Sequence, residues 1–175
     1  NINRLIISDV KIYNINLDKK INILNDIKNL IYLYNFLKLN NFNFIFTITP
    51  KAGLLGMLSA FVNKIPIRLH IFTGQVWSNK NFLYKYILKL FDKLIMKLSN
   101  ETLCDGKRQR EFLIENSFSK KIKVLGNGSI CGVDTNLFKP NKKQKLNLRK
   151  KFKIKNNDDV FLYVGRINKD KGINN

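Results

Sequence analysis

Four short stretches carry residue types that could do chemistry. The run Phe161-Leu-Tyr-Val-Gly-Arg166 reads as a strand ending in Gly-Arg, and Lys169, Asp170, Lys171 and Gly172 follow closely. A guanidinium can fork two phosphate oxygens and an ammonium adds a mobile point charge, so Arg166 and Lys171 suit a phosphorylated ligand. The run Thr47-Ile-Thr-Pro-Lys-Ala-Gly53 joins a strand end to a helix start. The first N–H groups of a helix lack intrahelical partners and can hold an anion, and Lys51 adds charge there. Gly53 and Gly56 would let the helix lie close to the sheet or let a ligand approach its backbone. An ordinary capped helix with packing glycines accounts for the same residues.

The third stretch is His70-Ile-Phe-Thr-Gly-Gln-Val-Trp77, which holds the only histidine and the only tryptophan of the chain. Hydroxyl, amide and aromatic groups leave one strand end together, a mix that suits a polar ligand such as a sugar. A lone histidine in an apolar strand is more commonly a satisfied core residue than a catalyst. The fourth is residues 81–98, where Lys85, Lys89, Lys93 and Lys97 recur every fourth residue beside Phe82, Leu83, Ile87, Leu90, Phe91, Leu94, Ile95 and Leu98. A basic amphipathic helix of this kind can lie on acidic lipid, or can be a surface helix with a solvated lysine stripe. Other signatures fail. Gly126, Gly128 and Gly132 lack dinucleotide-fingerprint spacing, there is no P-loop, and no Ser/His/Asp or Cys/His set can be assigned. Asp158 and Asp159 read as loop and cap residues.

Alternating elements must position these stretches. Strands are expected at residues 5–13, 42–49, 66–72, 101–104, 121–125 and 160–164. Helices are expected from about residue 25 to 39, with Asn25 or Asp26 as cap, and at 50–62, 81–98 and 107–115. Thr49 suits an N-cap and Pro50 the first helical position. Phe44, Ile45 and Phe46 in succession suggest burial on both faces of a parallel sheet. Strand and helix in alternation with short connections predict a doubly wound, Rossmann-like α/β sheet, whose ligands bind beyond the carboxyl ends of its strands. Residues 126–140 crowd Gly126, Asn127, Gly128, Ser129, Gly132 and Asp134 ahead of Pro140, which reads as an interdomain hinge. The expected division is a first domain over 1–125, the hinge over 126–140, and over 141–175 the first helix and strand of a second domain. Asn1 at the start and an element beginning at the end read as a piece of a larger protein.

The chain has 175 residues, 45% of them hydrophobic, enough for a core. Lys plus Arg number 32 against 12 for Asp plus Glu, a formal net charge of +20 that favours anionic partners. Abundant Lys, Asn and Ile also fit an AT-rich coding bias. Cys104 and Cys131 form no CxxC pair, which argues against a zinc site or a disulfide framework and fits a reducing cytoplasm. No apolar run reaches the roughly 18 residues of a membrane span.

The order TPKAGLLG (49–56), FTGQVW (72–77), GNGSICGVD…FKP (126–140) and VGRINKDKG (164–172) resembles bacterial retaining glycosyltransferases of the GT-B type, family 4, from roughly residue 20 onward. The resemblance implies two Rossmann-like domains, an acceptor side here represented by Lys51, Gly53, Gln75 and Trp77, and a donor side. Arg166 and Lys171 match the family's Arg and Lys that bind the donor diphosphate and stabilise the leaving group. That charge replaces a metal, so no metal or other cofactor is expected. Many relatives carry a functional His where Thr73 stands, so Thr73 and His70 are the catalytic candidates. The implied reaction moves a sugar from a nucleotide sugar, UDP-linked, to a glycan or polyprenyl-diphosphate-linked acceptor for capsule, O-antigen or glycoprotein glycans. The implied place is the cytoplasm, at the inner face of the bacterial plasma membrane on an anionic surface. The chain by itself is expected to be inactive. The alternatives are a GT-B-fold nucleotide-sugar epimerase and a basic nucleic-acid-binding module; no nucleic-acid motif is present, so nucleic acid is not counted among the partners.

Overall fold

The structure, a computed structural model, describes residues 10–18, 21–165 and 167. In chain order it contains α1 (Ile23–Asn40), β1 (Phe44–Thr47), α2 (Pro50–Val62), β2 (Ile67–Phe72), α3 (Phe82–Leu98), β3 (Glu101–Cys104), α4 (Lys107–Glu115), β4 (Lys123–Val124) and α5 (Lys142–Lys151). The four strands form one parallel sheet in the order β1-β2-β3-β4. This is the expected α/β class. Of the strand expected at 5–13, residues 10–13 are neither helix nor strand, and the rest lies outside the described residues.

Local chemistry explains the helix ends. The cap of α1 is Asn22, not Asn25 or Asp26: its extended backbone lets the side-chain oxygen accept from the Asn25 N–H, and Asn25 and Asp26 already lie in the first turn. Asn41, in the left-handed region at φ 49°, ends the helix. In α2, Thr49 is the N-cap and Pro50 opens the helix, although the Thr49 side chain makes no cap bond.

Sequential parallel strands with right-handed crossovers put their connecting helices on one face. The packing agrees. Thr47 and Ile45 lie under Gly56, His70 lies under Gly53, and Phe72 and Cys104 join Trp77, Leu113, Phe118 and Ile122 in the main core. The opposite face is less covered than its sequence suggests. Phe44 and Phe46 are half exposed rather than buried, because β1 is an edge strand of the described sheet and α2 covers only its Ile45/Thr47 side.

The chain divides into two compact units between Gly132 and Val133. In the first unit, residues 126–132 are fastened to the loop after β3. Asp105 accepts from Ser129 N–H through its carbonyl (2.7 Å) and from Ile130 N–H through its carboxylate (2.8 Å). Gly128 sits at φ +92°, where a Cβ would come within 2.9 Å of the Asp105 carbonyl oxygen. Gly128→Ala is therefore expected to cost about 1–2 kcal/mol, read as a lower denaturation midpoint. An unchanged midpoint would remove the fastening role.

The second unit contains α5, capped by Asn141, whose side chain accepts from Gln144 N–H. The strand expected at 160–164 does not form: Phe161, Leu162 and Val164 are more than four-fifths exposed. A parallel strand needs a neighbouring strand for its backbone groups, and among the described residues none lies beside it.

Candidate functional site

A cavity of about 550 Å³ lies at the carboxyl edge of the sheet. Thr49, Pro50 and Lys51, just beyond β1, form one side, and Val76 and Trp77, in the loop after β2, form another. Helices α1, α2 and α3 supply Ile27, Leu30, Leu54, Leu55, Leu88 and Phe91. The position is that expected for ligands of parallel sheets.

Its charged groups are engaged, whereas the Thr49 hydroxyl makes no cap bond. Lys51 Nζ lies 2.8 Å from Asp26 Oδ1, with both side chains about one-fifth exposed. Asp18 accepts from the side chains of Asn22 (2.9 Å) and Asn25 (3.0 Å). Asp92, 3% exposed, accepts from Trp77 Nε1–H at 2.8 Å. Burial pushes the Asp92 carboxyl up to about 6, against the opposing pull of that hydrogen bond.

Of the residues singled out by sequence, Lys51 and Trp77 meet at this cavity. Lys51 is a member of an ion pair there and not an isolated charge. Trp77 is chiefly a core residue: it is 1% exposed and stacks on Phe112 (5.3 Å between ring centres) and Phe118 (6.1 Å). His70 and Gly53 are not in the cavity lining and pack on each other. His70 is 1% exposed, and its Nδ1 shares a 2.7 Å hydrogen bond with Thr47 Oγ1, its register partner in β1. His70 Nε2 is buried without a partner among the described residues, and burial lowers the imidazole pKa to about 4, so the ring is neutral. Thr73 is exposed; Gln75 is half-buried and accepts weakly from the Gln109 side chain at 3.4 Å. Arg166 and Lys171 lie outside the described residues.

From sequence, Asp92 carries no assigned role and Asp26 only that of a possible helix cap. The signal for Asp92 was available: it is the only acid in α3 and shares a helical face with Leu88, Phe91 and Ile95. The partner of Asp26 stands 25 residues away, and no local pattern marks it.

The lysines of α3 are not a simply solvated stripe. Lys89 and Lys93 lie over the Trp77 and Phe118 rings, 5.5 and 5.7 Å from their centres. Burial lowers the Lys89 pKa, and Lys93 and Lys85 add to that. Phe82, Leu83, Tyr86 and Leu90 face solvent instead, at 87%, 68%, 65% and 53% exposure, which leaves an apolar surface with basic borders. Among the described residues no helix is long and apolar enough to cross a membrane.

No protein-family model matches this chain. It is 36% identical over 129 residues to the capsular polysaccharide biosynthesis glycosyltransferase CapM of Staphylococcus aureus, covering 71% of this chain and 33% of that protein. It is 29% identical over 153 residues to the UDP-Gal:alpha-D-GlcNAc-diphosphoundecaprenol alpha-1,3-galactosyltransferase of Escherichia coli, covering 85% of this chain and 38% of that protein. Both relatives are glycosyltransferases, and the chain spans between a third and two fifths of their length.

Proposed function

We propose that this chain is part of a GT-B-type retaining glycosyltransferase of cell-surface polysaccharide synthesis. The observation that carries the reading is the identity to CapM over most of this chain. The four motif blocks in family order and the cavity at the carboxyl edge of a parallel sheet support it. The donor is a nucleotide-diphosphate sugar, UDP-linked as in the name of the second relative, and the acceptor is a glycan carried on a polyprenyl diphosphate. Arg166 and Lys171 neutralise the donor diphosphate as the sugar leaves, a task that otherwise falls to a metal ion. Residues 126–140 are the joint between an acceptor domain and a donor domain.

The test is transfer of labelled sugar from UDP-sugars to a polyprenyl-diphosphate-linked glycan by the full-length protein. Arg166→Ala and Lys171→Ala are each expected to lower kcat/KM roughly 10- to 100-fold, the worth of one charge-assisted hydrogen bond. Unaltered turnover in both variants would remove these residues from the donor site. The 175-residue chain alone is expected to give no transfer, in keeping with the absence of a strand at 160–164; measurable transfer by it would overturn that.

The exposed face of α3 favours a peripheral position on an anionic membrane, at its cytoplasmic side. Aromatic and aliphatic side chains bordered by lysines suit the boundary between acyl chains and acidic headgroups. Co-sedimentation with anionic liposomes is expected at low salt, falling several-fold as salt rises. Leu83→Glu with Leu90→Glu is expected to abolish it, and no binding at low salt would exclude the membrane position.

A further inference from the structure

We propose that the cavity between α1, α2 and α3 holds an apolar chain, the prenyl tail of the acceptor. The assignment of that chain as prenyl rests on the lipid-linked acceptor proposed above; the cavity's preference for an apolar guest does not. The walls are aliphatic and aromatic, with Ile27, Leu30, Leu54, Leu88 and Phe91 prominent. A sugar site presents unspent donors and acceptors to a guest rich in hydroxyls. Here the charged groups already hold one another or a neighbour: Lys51 with Asp26, Asp92 with Trp77, and Asp18 with Asn22 and Asn25. Apart from the uncapped Thr49 hydroxyl, a polar guest would find partners only by breaking those pairs, whereas an apolar chain gains by leaving water and disturbs none of them. The approach is apolar too. Val76 lines the cavity and is 54% exposed, and Ile87, one turn before Phe91 on α3, borders the exposed surface of Leu83 and Leu90.

Trp77 is the only tryptophan of the 175-residue chain and lines the cavity, so its fluorescence reports the guest directly. The chain is titrated with farnesyl diphosphate, farnesol, inorganic diphosphate and dodecyl phosphate. Farnesyl diphosphate and farnesol are expected to change the emission saturably, inorganic diphosphate not at all, and dodecyl phosphate at least tenfold more weakly. Ile27→Lys puts a charge on the wall at a half-exposed site and is expected to weaken farnesol at least roughly tenfold. Ile31→Lys, one turn further along α1 and outside the cavity lining, is expected to bind as the parent does. Saturation by inorganic diphosphate alone, unaltered binding by Ile27→Lys, or no saturable binding would overturn the site. Equal binding of dodecyl phosphate would overturn the prenyl assignment. This readout needs no turnover. Chain binding without sugar transfer by the full-length protein would sink the glycosyltransferase reading alone, and transfer without chain binding would sink the cavity alone.

Discussion

Asp92→Asn is expected to stabilise the protein by about 3 kcal/mol above pH 6 and by almost nothing near pH 4. The native carboxyl titrates at about 6, against 3.8 for the ordinary side chain, because burial disfavours its charge. Between these values the native state holds a proton that the unfolded state has lost, so stability falls as pH rises from about 4 to 6. His70 works in the opposite sense. Its native pKa is about 4 against 6.5, so between those values only the unfolded state is protonated. Stability from His70 is complete above 6.5 and is lost as pH falls toward 4. The two slopes oppose each other between pH 4 and 6 and largely cancel. Asparagine keeps an oxygen for the Trp77 N–H and removes the charge. The variant's stability should then climb by about 3 kcal/mol from pH 4 to 6.5, since only the His70 slope remains. Denaturant titrations of parent and variant at pH 4, 5, 6 and 7.5 measure this. Curves that stay parallel across the range would show that Asp92 carries no such linkage.

Gly53→Ala is expected to destabilise the fold by about 2 kcal/mol net. A Cβ at Gly53 would stand 2.6 Å from His70 Cε1, 2.9 Å from His70 Nδ1 and 3.3 Å from the Ile95 side chain. The imidazole cannot swing aside cheaply. Its Nδ1 is bonded to Thr47, and its ring makes a T-shaped contact with the Phe72 ring, 4.7 Å between centres. Helix α2 must therefore lift from the sheet. Alanine gains about 1 kcal/mol in helix propensity, which the overpacking of about 3 kcal/mol outweighs. The cause can be isolated by shrinking the ring. In a double-mutant cycle, His70→Ala should recover at least 1 kcal/mol of the Gly53→Ala loss. A Gly53→Ala protein as stable as the parent would refute the close approach. The same result would free Gly53 for the ligand-contact role open to it from sequence.

The close approach of Gly53 to the sheet was legible from sequence; the object it approaches was not. The same division runs through the molecule. Residues 50–62, 101–104 and 107–115 form the elements expected of them over those same bounds, because apolar period, Pro50 and the punctuating glycines act within a few residues of chain. The parallel α/β sheet follows from their alternation. Tertiary structure alone decided the partners. His70 meets Thr47 across 23 residues, Trp77 meets Asp92 across 15, and Lys51 meets Asp26 across 25. Among the described residues, tertiary structure also turned Phe44 and Phe46 to the less covered side of an edge strand and left residues 160–164 without a neighbour to pair with. Short-range periodicity records which face of its element a residue occupies, not whether that face is covered. Which charge or ring it meets depends on strand register and helix packing, and these are set by the summed burial of the whole unit.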